Sequence, residues 1–314
     1  MKTNPVLGIT CGDPNGIGPE IISKTLSASD ASQPVVLFAD PAVFKEYALD
    51  IPPHVHVVSV KNGFRPTPGK MSAESGRYCM LSLELAVQYA KSGLISGIVT
   101  APISKEAVNL AGWHIPGHTE WLAEQFNAEV LMILASSKLK VGLVTGHVPL
   151  SNVAGLITEK AILSTAQRMH KALRRDFNIQ RPSLAILGLN PHAGDGGVLG
   201  REEIEIIAPA IKKLNESGIF CSGPFAADGF FGSESYLSHH GVIAMYHDQG
   251  LAAFKAISFG DGVNVTAGLP IVRTSPDHGT AFAIAGTGKA DASSFHAAFV
   301  MARDLCSNRL RQTS

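Results

Sequence analysis

The stretch "ITCGDPNGIGPEII", residues 9–22, passes from an apolar run through a glycine-rich turn into residues suited to a helix. Pro19 fits a first helical turn, where its missing N–H leaves no bond unmade and its fixed φ is already helical. A strand that turns into a helix is the first half of a βα unit, so the stretch predicts an α/β protein. Its glycines stand as Gly12-x-x-x-Gly16-x-Gly18, not in the Gly-x-Gly-x-x-Gly spacing of a dinucleotide loop, and neither that fingerprint nor a Walker loop occurs elsewhere. Two readings stay open here. The turn is either a place where backbone approaches a ligand closely, or only a tight turn, for which glycine is the default residue at positive φ.

Outward from this turn, short runs rich in β-branched residues alternate with longer segments of helical period, which predicts βαβ units and a largely parallel sheet. Expected strands are 5–10, 34–39, 54–60, 95–101, 130–135, 140–146, 183–189 and 241–246, and expected helices include 72–93, 159–177, 201–217 and 291–305. At 314 residues the chain suggests two domains. No repeat, low-complexity tract or linker marks a boundary, so the split must be made by the chain crossing over. The expected division is 1–125 plus 265–314 against 126–264.

With 45% hydrophobic and 17% charged residues the chain has apolar material for a full core. Lys plus Arg equals Asp plus Glu at 26 each, without long runs of one sign, which argues against nucleic acid and for a small-molecule partner. Cys11, Cys79, Cys221 and Cys306 form no Cys-x-x-Cys pair and read as reduced, buried side chains. The opening "MKTNPVLGITCGDPNG" holds too short an apolar run for a signal peptide, and no apolar stretch is long enough to span a membrane. A cytoplasmic setting is expected.

Three histidines follow three expected strands: His147 in "VGLVTGHVP", His192 in "LAILGLNPHAG" and His247 in "GVIAMYHDQG". In parallel α/β sheets ligands bind beyond the carboxyl ends of strands, so these imidazoles are candidates to meet. Three protein ligands plus an open position describe a catalytic metal site, although any one of them is also an ordinary hydrogen-bonded loop residue. His54, His56, His170, His239, His240 and His296 have no comparable context. Asp248 beside His247, Asp195 after His192 and Asp228 in "DGFFG" are candidate orienting carboxylates or bases, or else turn and cap residues. His118 and Thr119 stand at an expected helix start, where free N–H groups favour a phosphate or carboxylate. Lys255 and Arg273 add charge and Asn264 a neutral donor, for a combined anion site.

In order along the chain, "GDPNGIGPE", "TAPISKEA", "GHTEWLAE", "TGHVPL", "LNPHAGDGG", "DGFFG", "YHDQG" and "TSPDHGTAFAIAGTG" resemble the 4-hydroxythreonine-4-phosphate dehydrogenase family, the NAD-dependent enzymes of pyridoxal phosphate biosynthesis. The resemblance covers essentially the whole chain. It implies two α/β domains like those of isocitrate and isopropylmalate dehydrogenases, with a central cleft completed by the second subunit of a homodimer. It places NAD at Asp277, His278, Gly279, Thr280 and Ala281, with Asp291 toward the adenine. It puts one divalent ion, zinc first and magnesium or cobalt as alternatives, on His147, His192 and His247, with His247 lent by the other subunit. Substrate falls on His118, Thr119, Lys255, Asn264 and Arg273.

The expected reaction is oxidation of 4-phosphooxy-L-threonine to 2-amino-3-oxo-4-phosphooxybutanoate, which loses carbon dioxide to give 3-amino-2-oxopropyl phosphate. Asp248 or Asp228 is the expected base, with Lys255 as a rival. Alternatives are a dehydrogenase of D-threonate or D-erythronate 4-phosphate, and a metal- and phosphate-binding protein without a redox step.

Overall fold

The computed structural model describes residues 4–61, 63–258 and 260–313. Its strands are β1 (Leu7–Thr10), β2 (Val35–Phe38), β3 (His56–Val58), β4 (Gly97–Thr100), β5 (Leu131–Ala135), β6 (Lys140–Leu143), β7 (Ser183–Leu187), β8 (Phe220–Phe225), β9 (Gly241–Ala244), β10 (Val263–Ala267) and β11 (Val272–Pro276). The chain divides into two units: residues up to Glu129 together with those from Val263 onward, and Val130–Gly262.

In the first unit the strand order is β3-β2-β1-β4-β11-β10. All neighbours run parallel except β10, which is antiparallel to β11. Strands β1, β2, β4 and β11 are buried at every residue, as expected where both faces of a sheet are covered. Helix Gly18–Ala28 follows β1 with Pro19 in its first turn. Helix Ala73–Lys91 begins on Ser72, whose hydroxyl accepts from the Ser75 N–H. The core centres on Phe38, Tyr78, Met80 and Phe295, all fully buried.

In the second unit the order is β5-β6-β9-β7-β8, with β5 antiparallel to β6 and the rest parallel. Its core packs Val141, Leu187, Val242, Leu251 and Phe254. Because β6, β9 and β7 are parallel and adjacent, their carboxyl ends open on one side. The loops carrying His147, His247 and His192 leave from that side.

Each of the eight expected strands is present, trimmed at its ends. Three were missed. "FCSGPF" (β8) contains Gly223-Pro224 and is half exposed, so it lacks the apolar run of a buried strand. β10 and β11 carry Asn264, Thr266, Arg273, Thr274 and Ser275, polar residues that read as a binding loop. The expected helix over 201–217 is interrupted: Glu203–Ile207 winds as a π-helix before helix Ala208–Glu216. All four cysteines are buried. Among the described residues no helix is long and apolar enough to cross a membrane.

Candidate active site

His147 and His247 approach each other beyond β6 and β9, with ring centroids 5.5 Å apart. The strand ends beneath them are tied together. Thr145 donates its hydroxyl to the Met245 carbonyl at 2.7 Å, and Gln249 accepts from the Met245 N–H at 2.7 Å while donating to the Gly188 carbonyl at 2.6 Å. His247 opens helix His247–Ile257, whose Gly250 lies so close to β6 and β9 that a Cβ there would stand 2.8 Å from Val141 Cγ1 and 3.0 Å from Ala244 Cβ. The helix start is thereby pressed onto the strands.

The Asp248 carboxylate lies 2.6 Å from His247 Nδ1. A carboxylate only accepts, so the proton sits on Nδ1 and the Nε2 lone pair is left for a Lewis acid. This is the tautomer a metal-binding imidazole needs.

His192 sits in a different setting. Residues His192, Ala193, Gly194, Asp195 and Gly196 all have positive φ, between 43° and 81°. Among the described residues no three His, Cys, Asp or Glu side chains gather closely enough to hold a metal ion. Within one chain the rings of His147 and His247 stand 5.5 Å apart. Asp228 is exposed in the first turn of helix Ala227–Gly232, and Lys255 is exposed near the end of helix His247–Ile257.

In the first unit, His118 opens helix His118–Phe126. Arg273 is buried, 3% exposed, and its guanidinium donates from Nη1 to Thr266 Oγ1 at 3.0 Å and from Nη2 to Thr100 Oγ1 at 2.8 Å. Thr119 Oγ1 is 3.3 Å from Thr266 Oγ1, which joins the helix start to the arginine. Burial lowers the Arg273 pKa to about 10, partly opposed by Glu120. Burial, and then Arg273 itself, hold His118 well below the usual imidazole range, so its ring is neutral. Arg273 Nε and Asn264 Oδ1 are buried atoms with no hydrogen-bond partner. A buried cation with an unanswered N–H is costly, and a bound anion answers it.

The opening turn meets the loop over 277–281 in the same unit. Ile17 N–H donates to the Thr280 carbonyl at 3.0 Å, and a Cβ on Gly16 would stand 2.7 Å from that oxygen. Gly16 is therefore a glycine of close approach between two segments of the chain, while Gly12 stands in the left-handed region at φ 66°. Glu20 Oε1 accepts from Ala290 N–H at 2.8 Å and from Lys24, which also donates to the carbonyls of Gly288 and Ala290. His278 Nδ1 faces the Gly279 carbonyl while its Nε2 is buried and unpartnered, and Ala281 is left-handed at φ 45°. Asp291 accepts from both the backbone and hydroxyl of Ser293, which gives it a structural duty at the start of the last helix and holds its carboxyl below the ordinary value.

Residues that sequence reasoning passed over complete this region. Asp13 is fully buried, accepting from Asn15 N–H and Ser75 hydroxyl. Asn15 clamps the neighbouring loop by donating to the Lys70 carbonyl and accepting from Thr67 N–H. A cleft of about 770 Å³ beside it is lined by Arg65, Lys70 and Arg77 among others. The signal was the polar interior of "GDPNG", where only glycine spacing had been weighed.

Residues 19–302 match the family model described as pyridoxal phosphate biosynthetic protein PdxA. The chain is 43% identical to the 4-hydroxythreonine-4-phosphate dehydrogenase of Bacteroides thetaiotaomicron, covering 99% of this chain and 92% of that one. It superposes on the crystal structure of the 4-hydroxythreonine-4-phosphate dehydrogenase of Klebsiella pneumoniae with a TM-score of 0.84 at 35% identity, over 96% of this chain and 99% of that one. A terephthalate 1,2-cis-dihydrodiol dehydrogenase from Burkholderia xenovorans LB400 follows at a TM-score of 0.66 and 28% identity, over 92% and 94%.

Proposed function

Because the chain belongs to the 4-hydroxythreonine-4-phosphate dehydrogenase family of pyridoxal phosphate biosynthesis, we propose how its own residues divide that oxidation among them. The protein is an oxidoreductase of that activity, and the following assignment of roles is our reading.

The substrate phosphate is held by Arg273, by Thr119 and by the first turn of helix His118–Phe126, with Asn264 accepting from a donor group of the substrate. The unpartnered Arg273 Nε and Asn264 Oδ1 support this. A neutral His118 donates a hydrogen bond without adding charge. Lys255 is carried over from the family as a further substrate contact.

His147 and His247 would hold a divalent cation. Imidazole nitrogens suit zinc or cobalt better than magnesium, which prefers oxygen ligands. Two ligands fall short of a catalytic site; His192 would be the third, in a homodimer whose second subunit lends His247 in the family pattern. When bound, such an ion acidifies a coordinated hydroxyl, as it does water. Asp248 is engaged on His247 and acts as its orienting carboxylate; the proton of the substrate C3 hydroxyl then passes to Lys255 or Asp228.

When bound, NAD would supply the acceptor for the C3 hydrogen and its electron pair as hydride, leaving C3 as a carbonyl carbon. The residues of the 277–281 loop would hold NAD, a reading supported by the unpartnered His278 Nε2 and the packing of Gly16 on Thr280. The β-keto acid product loses carbon dioxide because the electrons of the breaking C–C bond flow into the new ketone.

The observation that carries the reading is the His147–His247 pair with Asp248 on Nδ1. An anaerobic assay with 4-phosphooxy-L-threonine and NAD, before and after chelation, tests it. D-Threonate and D-erythronate 4-phosphates are run alongside. NADH formation abolished by chelator and restored by zinc is expected. Turnover indifferent to chelation would overturn the metal assignment, and faster turnover of a hydroxy acid would overturn the substrate.

A further inference from the structure

The residues around His192 adopt a conformation the backbone alone disfavours. Three non-glycine residues, His192, Ala193 and Asp195, stand in the left-handed region at φ 53°, 51° and 43°, and each such residue costs free energy unless its surroundings impose it. Against this loop, at Gly194 and at the Leu189–Asn190 segment that leads into it, lies one buried carboxylate. Glu203 is 3% exposed. Its Oε1 accepts from the N–H groups of Leu189 and Asn190 at 2.7 and 2.8 Å, and its Oε2 accepts from Asn190 Nδ2 at 3.0 Å. Asn190 Nδ2 is shared with Glu202 at 2.7 Å.

The glycines of the loop make room for this carboxylate. A Cβ on Gly194 would lie 2.6 Å from Glu203 Oε2, and one on Gly188 would lie 3.1 Å from Glu203 Oε1 and 3.0 Å from Ala193 Cα. Glu203 is also the first residue of the π-helix Glu203–Ile207. A π-turn adds a residue to a helical turn and so re-aims the side chains at its start, and such turns recur at functional sites. An ordinary α-helix over 201–217 would place this side chain differently along the helix.

The geometry points to Glu203 as the positioning residue for His192: its carboxylate gathers the end of β7 and fixes the left-handed loop that presents the imidazole. This rests on the reading of His192 as a metal ligand, and Glu203 itself touches neither ion nor substrate. Of the four glycines after His192, Gly194 is the one that makes room for the carboxylate behind the loop.

The test compares wild type with Glu203→Ala, Glu203→Gln, His192→Ala and the double variant Glu203→Ala/His192→Ala. Zinc affinity is measured by competition with a chelator, and hydrogen exchange is followed at Leu189 and Asn190. Glu203→Ala should weaken zinc binding roughly 10- to 100-fold, the range for outer-shell partners of metal ligands. It should also expose the two amides to exchange. Glu203→Gln, which keeps one carbonyl acceptor, should recover part of both. The double variant should bind zinc no more weakly than His192→Ala alone, because a residue acting only through His192 has nothing left to act on.

Losses that add in the double variant, or zinc affinity unchanged in Glu203→Ala while His192→Ala loses it, would overturn the proposal. If His192→Ala leaves zinc binding intact, the metal reading of His192 fails separately. Exchange then decides the role of Glu203: protection at Leu189 and Asn190 that survives Glu203→Ala overturns it, and protection that is lost upholds it.

Discussion

Arg273 donates from Nη2 to the Thr100 hydroxyl at 2.8 Å, across 173 positions of chain. The bond fixes the guanidinium to β4 and leaves Nε unanswered. A buried arginine without a full set of partners contributes little to stability, and replacing such charges by apolar residues is often neutral or stabilising. Arg273→Met should therefore melt no lower than wild type by calorimetry. Its KM for the phosphorylated substrate should rise about 10- to 100-fold, since charge-assisted bonds contribute about 1.5–3 kcal/mol. An unchanged KM would remove Arg273 from the phosphate site.

His147→Ala and His247→Ala should each release the bound metal and reduce NADH formation to background, read by metal analysis and absorbance. Asp248→Asn should be milder, lowering metal affinity about 10- to 100-fold while the protein keeps its melting temperature. Full retention of metal and turnover in His147→Ala would exclude that residue from the mechanism.

Gln249 satisfies two backbone groups at once, the Met245 N–H and the Gly188 carbonyl. Gln249→Ala leaves both without this partner. Each unmet group costs about 1–3 kcal/mol, so urea unfolding should show a loss of about 2–6 kcal/mol. A change below about 0.5 kcal/mol, the scatter of surface substitutions, would show that water replaces the amide freely.

Gly16→Ala would drive a methyl into the Thr280 carbonyl. The 277–281 loop must then move, and the KM for NAD should rise on the order of tenfold with little change in kcat, the pattern of lost uniform binding. Isothermal titration with NAD provides a second reading. Equal NAD affinity in the variant would detach this loop from the cofactor.

Asp13 carries a pH signature. Burial raises its pKa to about 6, against the opposing hydrogen bonds from Asn15 and Ser75. With the unfolded carboxyl near 4, the native state binds more protons between those values, so stability falls as pH rises through that window and stays level above it. The size is about 2–3 kcal/mol by the same linkage. In Asp13→Asn this decline should vanish, so the variant gains on wild type between pH 5 and 7.5 in urea unfolding. Parallel curves for the two proteins would contradict it.

Strands buried on both faces were legible because their apolar runs are unbroken, as in β1 and β9, and the long helices because their period is. β10 and β11 were not, since burying Arg273 and Thr274 in a strand requires partners that only the fold supplies. The residues of the proposed anion site were legible by type, His118 at a helix start and Arg273 as a cation. Their linkage through Thr266 and Thr100 was not. Asn15, Gln249 and Glu203 escaped notice because each acts on backbone groups far away in sequence, and nothing local distinguishes a clamp of that kind from a solvated polar residue.

Strand β11 inserts beside β4, and the last helix covers it, only after the whole of the second unit has been synthesised. On the ribosome, Val130–Gly262 is therefore complete while the earlier strands still wait with β4 as an open, apolar border. A nascent chain at that stage offers an adhesive edge, and chaperone capture should concentrate there until the C-terminal strands emerge to seal it.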